Sequence, residues 1–254
     1  MTSLSDNYRQ MKTIRLLLFF LLFTVCCFCQ TKEDFFEAGK NDLEKGWLIT
    51  AVDYFSDAIK LDSNFANAYY YRGLTYIKGA MSDCYMPAVN DFYKCIALQP
   101  DSNFWEAYSY IASQKLFPDT SALKYYDKAI KLNPTNYLLY QKRGFLKQWN
   151  RMLSSAYQDY LKSVEINKAD VKSYDLMANI DLQNGHYISA LKQVDIGIEQ
   201  DPESAKLYFT KTEVLCRLNK KKEAKKAYRK ALKKAEKTGE FVICSCCEVT
   251  KKSN

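Results

Sequence analysis

The chain has 254 residues, with 37 Lys plus Arg against 29 Asp plus Glu, a formal charge of +8, one His and nine Cys. At 48% hydrophobic and 26% charged it has ample apolar surface to bury, which excludes a disordered chain. Only 8 Gly and 5 Pro argue against an all-β design, no Gly-rich phosphate loop occurs, and a lone His186 excludes a multi-histidine metal site.

Residues 1–29 read as an address rather than a fold. Lys12 and Arg15 precede a run from Leu16 to Cys29 in which nothing is more polar than Thr24. As a helix it would span about 21 Å, short of the roughly 30 Å hydrocarbon core of a bilayer. A basic start, a short apolar centre and small residues before Gln30 are the layout of a secretory signal, with cleavage expected between Cys29 and Gln30. Two alternatives stay open: a retained N-terminal membrane anchor, and a lipoprotein signal acylated at Cys26, Cys27 or Cys29.

One period organises the chain from there on. Ala51, Ala88, Ala122, Ala156, Ala190 and Ala224 lie 37, 34, 34, 34 and 34 residues apart. Four positions after each comes a large residue, namely Phe55, Phe92, Tyr126, Tyr160, Val194 or Tyr228. Three further on stands a small one, namely Ala58, Cys95, Ala129, Ser163, Gly197 or Ala231. Offsets of four and three put all of these on one helical face, a small–large–small stripe that lets neighbouring helices approach closely. Sixteen residues before the Ala, most units carry a further aromatic, such as Phe35, Tyr140, Tyr174 and Tyr208, often with a small residue four later, as Gly39, Gly144 and Ala178. Pro100, Pro134 and Pro202 mark unit ends, where a helix does not continue.

This pattern resembles the tetratricopeptide repeat, a helix–turn–helix unit of 34 residues. The resemblance implies an all-α, right-handed α–α superhelix, a solenoid of six units: 32–65, 66–102, 103–136, 137–170, 171–204 and 205–238. A Cys-bearing tail, 239–254, follows. The second unit carries three extra residues between its helices. In the third, Glu106 stands where an aromatic is expected and Trp105 precedes it, which reads as a first helix shifted by one residue.

The resemblance also implies a concave groove lined by motif positions 2, 5, 9 and 12 of the first helices. Mapped onto this chain these are Tyr70, Leu74 and Ile77 in unit two, and Leu138, Gln141, Phe145 and Gln148 in unit four. Unit five gives Lys172, Asp175, Asn179 and Leu182, and unit six Phe209, Glu213 and Cys216. Aromatic, aliphatic and amide groups of this kind suit a protein or peptide ligand held by apolar anchors and amide hydrogen bonds. The implied job is a non-catalytic interaction scaffold or assembly factor of the bacterial cell envelope. The alternative is a self-associating envelope subunit, or an outer-membrane lipoprotein component that docks through a basic helix.

That helix closes the array. Unit six has thirteen Lys or Arg against three Glu, whereas residues 30–204 have nineteen bases and twenty-three acids. Lys221, Lys222, Lys225, Lys226, Arg229, Lys230 and Lys233 fall opposite the stripe of Ala224, Ala227, Ala231 and Ala235. They make a solvated terminal face, or one that docks on an anionic surface or acidic protein. No nucleic acid is expected, because aromatics do not interleave with the basic run. Cys95 and Cys216 read as packing residues, and Cys244, Cys246 and Cys247 as a disulfide or an unstructured tail. His186 stands in an inter-helix turn with no evident acid–base neighbour, and no nucleophile elbow occurs. Neither an enzyme, a metal nor a cofactor is expected.

Overall fold

The computed structural model describes residues 30–79, 85–115 and 119–238. The proposed leader, Cys84 with most of the insertion, the turn at 116–118 and the Cys-bearing tail lie outside the described residues. Among the described residues there are twelve α-helices and no strand. They are α1 (Lys32–Lys45), α2 (Leu48–Leu61), α3 (Ala66–Lys78), α4 (Tyr85–Leu98), α5 (Trp105–Gln114) and α6 (Ala122–Leu132). The rest are α7 (Tyr137–Trp149), α8 (Leu153–Ile166), α9 (Val171–Gln183), α10 (Tyr187–Gln200), α11 (Ala205–Arg217) and α12 (Lys221–Thr238). The chain divides into two compact units, Met1–Ser102 with α1–α4 and Asn103–Asn254 with α5–α12. Within each, every odd helix packs on the even helix that follows, and that helix packs on the next odd one, so the architecture is an all-α helical-repeat solenoid.

Local chemistry sets the helix ends. Thr31 opens α1 with a capping box: its hydroxyl accepts from the Asp34 amide at 3.1 Å, and its own amide donates to the Asp34 carboxylate at 2.8 Å. The Asp34 carboxylate accepts from the Thr31 amide and also from the Thr31 hydroxyl at 2.8 Å, and these two bonds hold its carboxyl below the ordinary range. Asn136, Asp170 and Ser204 cap α7, α9 and α11 in the same sense. Four of the described turns inside the pairs share one design. The residue five before the repeating Ala is left-handed, with φ of 80° at Gly46, 61° at Arg151, 78° at Gly185 and 58° at Asn219. The next amide then donates back five residues, as Trp47 to the Asp42 carbonyl at 2.8 Å and His186 to that of Asp181 at 2.8 Å.

The periodic stripe is the core. All six repeating Ala are buried, as are Phe55, Phe92, Tyr126, Tyr160 and Val194 and the small residues that follow them. Small residues of the odd helices receive the rings. A Cβ built on Gly73 would lie 2.7 Å from Phe92, and one on Gly144 2.8 Å from Tyr160, so only a glycine permits that approach. Val194 is slimmer, and the matching residue is Ala178, packed in the same cluster. In the last pair Thr212 occupies the small place and Tyr228 is only half-buried, turned edge-on to Phe209 at 5.9 Å.

The third pair corrects the expected one-residue shift. Helix α5 begins 17 residues before its repeating Ala122, against 19 in units one, four, five and six, and it has 10 residues against 13 in α7. Tyr108, not Trp105, takes the aromatic place, buried and facing Tyr125, and Ala112 four later takes the small one. The six residues that separate α4 from α5, against four between α6 and α7, account for the displacement.

Candidate functional site

The odd helices put the mapped groove residues at two depths. Motif position 5 is buried in every unit that was mapped: Tyr70, Gln141, Asp175 and Phe209 are all under 9% exposed. Their partners explain why. Tyr70 packs edge-on against Tyr71 at 5.4 Å. The Gln141 amide donates to Asp170 at 2.6 Å, and the Asp170 carboxylate also accepts from Ser163. Asp175 accepts from the Thr210 hydroxyl at 2.6 Å, and the Lys206 ammonium lies 2.9 Å from its other oxygen. Asp175 thereby ties its repeat to the next, and all four side chains present little surface to a ligand.

Positions 2, 9 and 12 are the open ones. Leu74, Gln148, Asn179 and Glu213 are half-buried, and Ile77 is exposed. On the odd helices of the second compact unit the exposed large apolar side chains all fall on α7, where Leu138, Phe145 and Trp149 are 41%, 39% and 59% exposed. The rings of Phe145 and Trp149 face each other at 6.4 Å, one helical turn apart. Phe145 forms a shared wall between two concavities. One, of about 510 Å³, is bordered by Phe145, Gln148, Trp149, Arg151 and Gln183. The other, of about 160 Å³, reaches down to Tyr126 and Gln141, with Lys142 and Lys172 at its mouth. Asn179 is turned back on its own helix and donates to the Asp175 carbonyl at 2.8 Å.

A recurrent cation was not read from the sequence. Arg72 forks onto Asp91 at 2.8 and 2.7 Å and also donates to Ser56 of the preceding pair at 3.0 Å. Arg143 repeats the device on Asp159 at 2.9 and 2.6 Å, with its third nitrogen on Asp127 of the preceding pair. Lys211 reaches Asp195 in the same sense. Each cation bridges consecutive repeats at one motif position, and the 34-residue phase of Arg143 and its partners was the signal available. Burial pushes the Asp91 carboxyl above the ordinary range in spite of the Arg72 fork.

Elsewhere, Lys221, Lys222, Lys225, Lys226, Arg229, Lys230 and Lys233 are all exposed on α12, opposite the buried alanines. His186 does have an acidic neighbour, since its Nδ1 is 3.8 Å from Asp181; that carboxylate, however, accepts from Ser189 at 2.6 Å and the His186 ring is two-thirds exposed. Cys95 is fully buried and its thiol is pushed up to about 12, by burial first and then by the Asp91 charge. Among the described residues no group of three or more His, Cys, Asp and Glu is placed to hold a metal ion, and no helix is long and apolar enough to cross a membrane.

No family model matches the chain. A tetratricopeptide repeat-containing protein of Methanocaldococcus jannaschii, MJ1428, is 24% identical over 197 residues, covering 73% of this chain and 34% of that protein. The human mitochondrial import receptor subunit TOM70 is 28% identical over 216 residues, covering 67% of this chain and 35% of the receptor. The chain thus spans about a third of the length of these curated relatives. Among solved structures, YrrB, described as a tetratricopeptide-repeat protein with an unusual peptide-binding site, superposes with a TM-score of 0.60 at 19% identity, over 68% of this chain and 88% of its own. The fold of this chain is that of the tetratricopeptide-repeat proteins.

Proposed function

We propose that the chain is a non-catalytic interaction scaffold, exported to the bacterial cell envelope, that holds a segment of a partner protein on the α7–α9 face of its second unit. The observation that carries this reading is the Phe145–Trp149 pair. Two large rings stand in solvent on one face of a helix whose opposite face is packed, beside the amides of Gln148 and Gln183. Exposed aromatic anchors flanked by amides are the usual composition of a protein-binding hot spot. The fold supports the class of function, and the basic, apolar leader supports export. Position 5 of the repeat is left to stack maintenance, so the contact set narrows to Leu138, Phe145, Gln148, Trp149 and Asn179. Because both rings are exposed, Phe145→Ala with Trp149→Ala should fold normally by circular dichroism. It should also lose the partners that cross-link to the wild-type chain in the native envelope. A folded double variant that retains every one of those partners would refute the groove reading.

The lysine face of α12 favours a second mode of contact, docking on an anionic surface. It carries seven exposed cations, and none of them is ion-paired among the described residues. Charge-driven attachment weakens as the Debye length shrinks, from about 14 Å at 50 mM to about 6 Å at 300 mM salt. Sedimentation with vesicles of phosphatidylglycerol is therefore expected to fall over that range, and binding that ignores salt would remove this mode.

A further inference from the structure

The cations on the odd helices of the second unit are almost all occupied. Arg143 and Lys147 share Asp159, Lys206 meets Asp175, Lys211 meets Asp195, and Arg217 lies 3.9 Å from Glu213. Two have no carboxylate among the described residues, Lys142 and Lys172, and these two border the same 160 Å³ concavity under Phe145. They also repel each other. Although much of its side chain is accessible, the Lys142 ammonium is held below the ordinary lysine range, first by desolvation against the wall of the concavity and then by the Lys172 charge. The nearest acid on α9, Asp175, is buried and already taken by Thr210 and Lys206. Two like charges pressed toward one apolar recess, with no internal counter-charge, leave a place for an external carboxylate. Neutralising both would remove the repulsion and the partial desolvation together.

Geometry adds a spacing. Lys142 and Trp149 are seven residues apart on α7, which at 1.5 Å per residue is about 10 Å along the helix. An extended peptide covers that distance in about three residues. We propose, resting on the groove reading above, that the bound segment is an acidic–apolar peptide: a carboxylate side chain seated between Lys142 and Lys172, and a bulky apolar side chain three residues away on the Phe145–Trp149 rings. Lys115 lies at the rim of the same recess but is engaged with Asp119 at 3.5 Å, so it adds field rather than a free donor. The charge requirement sets this apart from the aromatic–amide groove that the sequence alone implied.

Selection of random twelve-residue peptides against the full chain tests it. The enriched peptides should carry Asp or Glu three positions from Phe, Leu, Ile or Trp. Lys142→Gln with Lys172→Gln should weaken the best of them at least about ten-fold at 100 mM salt, the loss expected when charge-assisted contacts go. Both lysines are surface groups, so the variant's helical signal should be unchanged. Peptides that lose binding with Phe145→Ala but are indifferent to the lysine changes would overturn the acidic requirement and leave the groove standing. If no selected peptide depends on Phe145 at all, the groove reading falls and this one with it.

Discussion

Replacing Arg72 with Met is expected to cost about 3 kcal/mol of stability at pH 7, because it strands a buried carboxylate. Asp91 is 5% exposed and its two oxygens are spent on the Arg72 fork. Among the described residues no second cation reaches Asp91, whereas Asp159 keeps Lys147 when Arg143 is lost. The pH dependence gives the effect a signature. Burial already raises the Asp91 pKa above its unfolded value, and losing Arg72 raises it further. An acid whose folded pKa is raised binds protons more readily folded than unfolded, so its contribution is fully present below the unfolded value of about 3.9 and is lost as pH rises through the folded one. The deficit of Arg72→Met relative to wild type should therefore be largest near neutrality and shrink toward pH 4. Urea unfolding at pH 7 and pH 4.5 measures both, and a deficit that does not change with pH would show that the carboxylate is not what is stranded. Adding Asp91→Leu to Arg72→Met should recover most of the loss, since an apolar pair of similar volume carries no desolvation penalty.

How much of this was legible beforehand depends on how far each feature is governed by helical periodicity. Six alanines in phase, with large and small residues four and seven places on, fix which face of each even helix is buried. The structure buries that face with Tyr228 as its half-buried exception. The exception has a local cause, because Thr212 fills the space that Gly73 or Gly144 leaves open. Phase counted back from Ala122 misplaces the third unit's first helix, because a longer connection ahead of α5 moves it by two residues. Tyr108 and Ala112 carry the same aromatic–small signature four residues apart, and matching that pair rather than the count would have placed the helix.

The groove was less legible, for a different reason. A motif position states which way a side chain starts out, not whether the next repeat covers it. Tyr70 and Phe209 are as apolar as Phe145, and nothing within their own units separates them. What separates them is packing that the motif position does not state: Tyr70 meets Tyr71 and Phe92, and Phe209 lies in the cluster of Ala231 and Ala235, whereas Phe145 stays open. The pairing of Arg143 with Asp127 and Asp159, which lie 16 residues to either side of it, is likewise a property of neighbours in the stack. The isolation of Lys142 and Lys172 emerges only after the other cations on the odd helices of the second compact unit have been matched with their carboxylates among the described residues.

The ring-in-recess packing carries the other large expected effect. Tyr160 is fully buried against Gly144, with its hydroxyl donating to Gln148 at 2.8 Å. Removing the ring as Tyr160→Ala should cost about 3–5 kcal/mol, through lost apolar burial and the cavity left behind. Adding bulk from the other side should also destabilise. In Gly144→Ala the new Cβ falls 2.8 Å from the ring, and the overpacking cost of about 1–3 kcal/mol exceeds the gain of about 1 kcal/mol from replacing glycine in a helix. The chain itself supplies the compensated pair, since unit five places Ala178 beside Val194 in one buried cluster. Transplanting it as Gly144→Ala with Tyr160→Val should give a double variant more stable than Tyr160→Val alone, a favourable coupling of about 1 kcal/mol between residues in contact. Urea unfolding of the four proteins in that cycle measures the coupling. Strict additivity would mean that recess and ring are not complementary parts of one contact, and that the small–large–small stripe records helix propensity rather than the distance at which these helices pack.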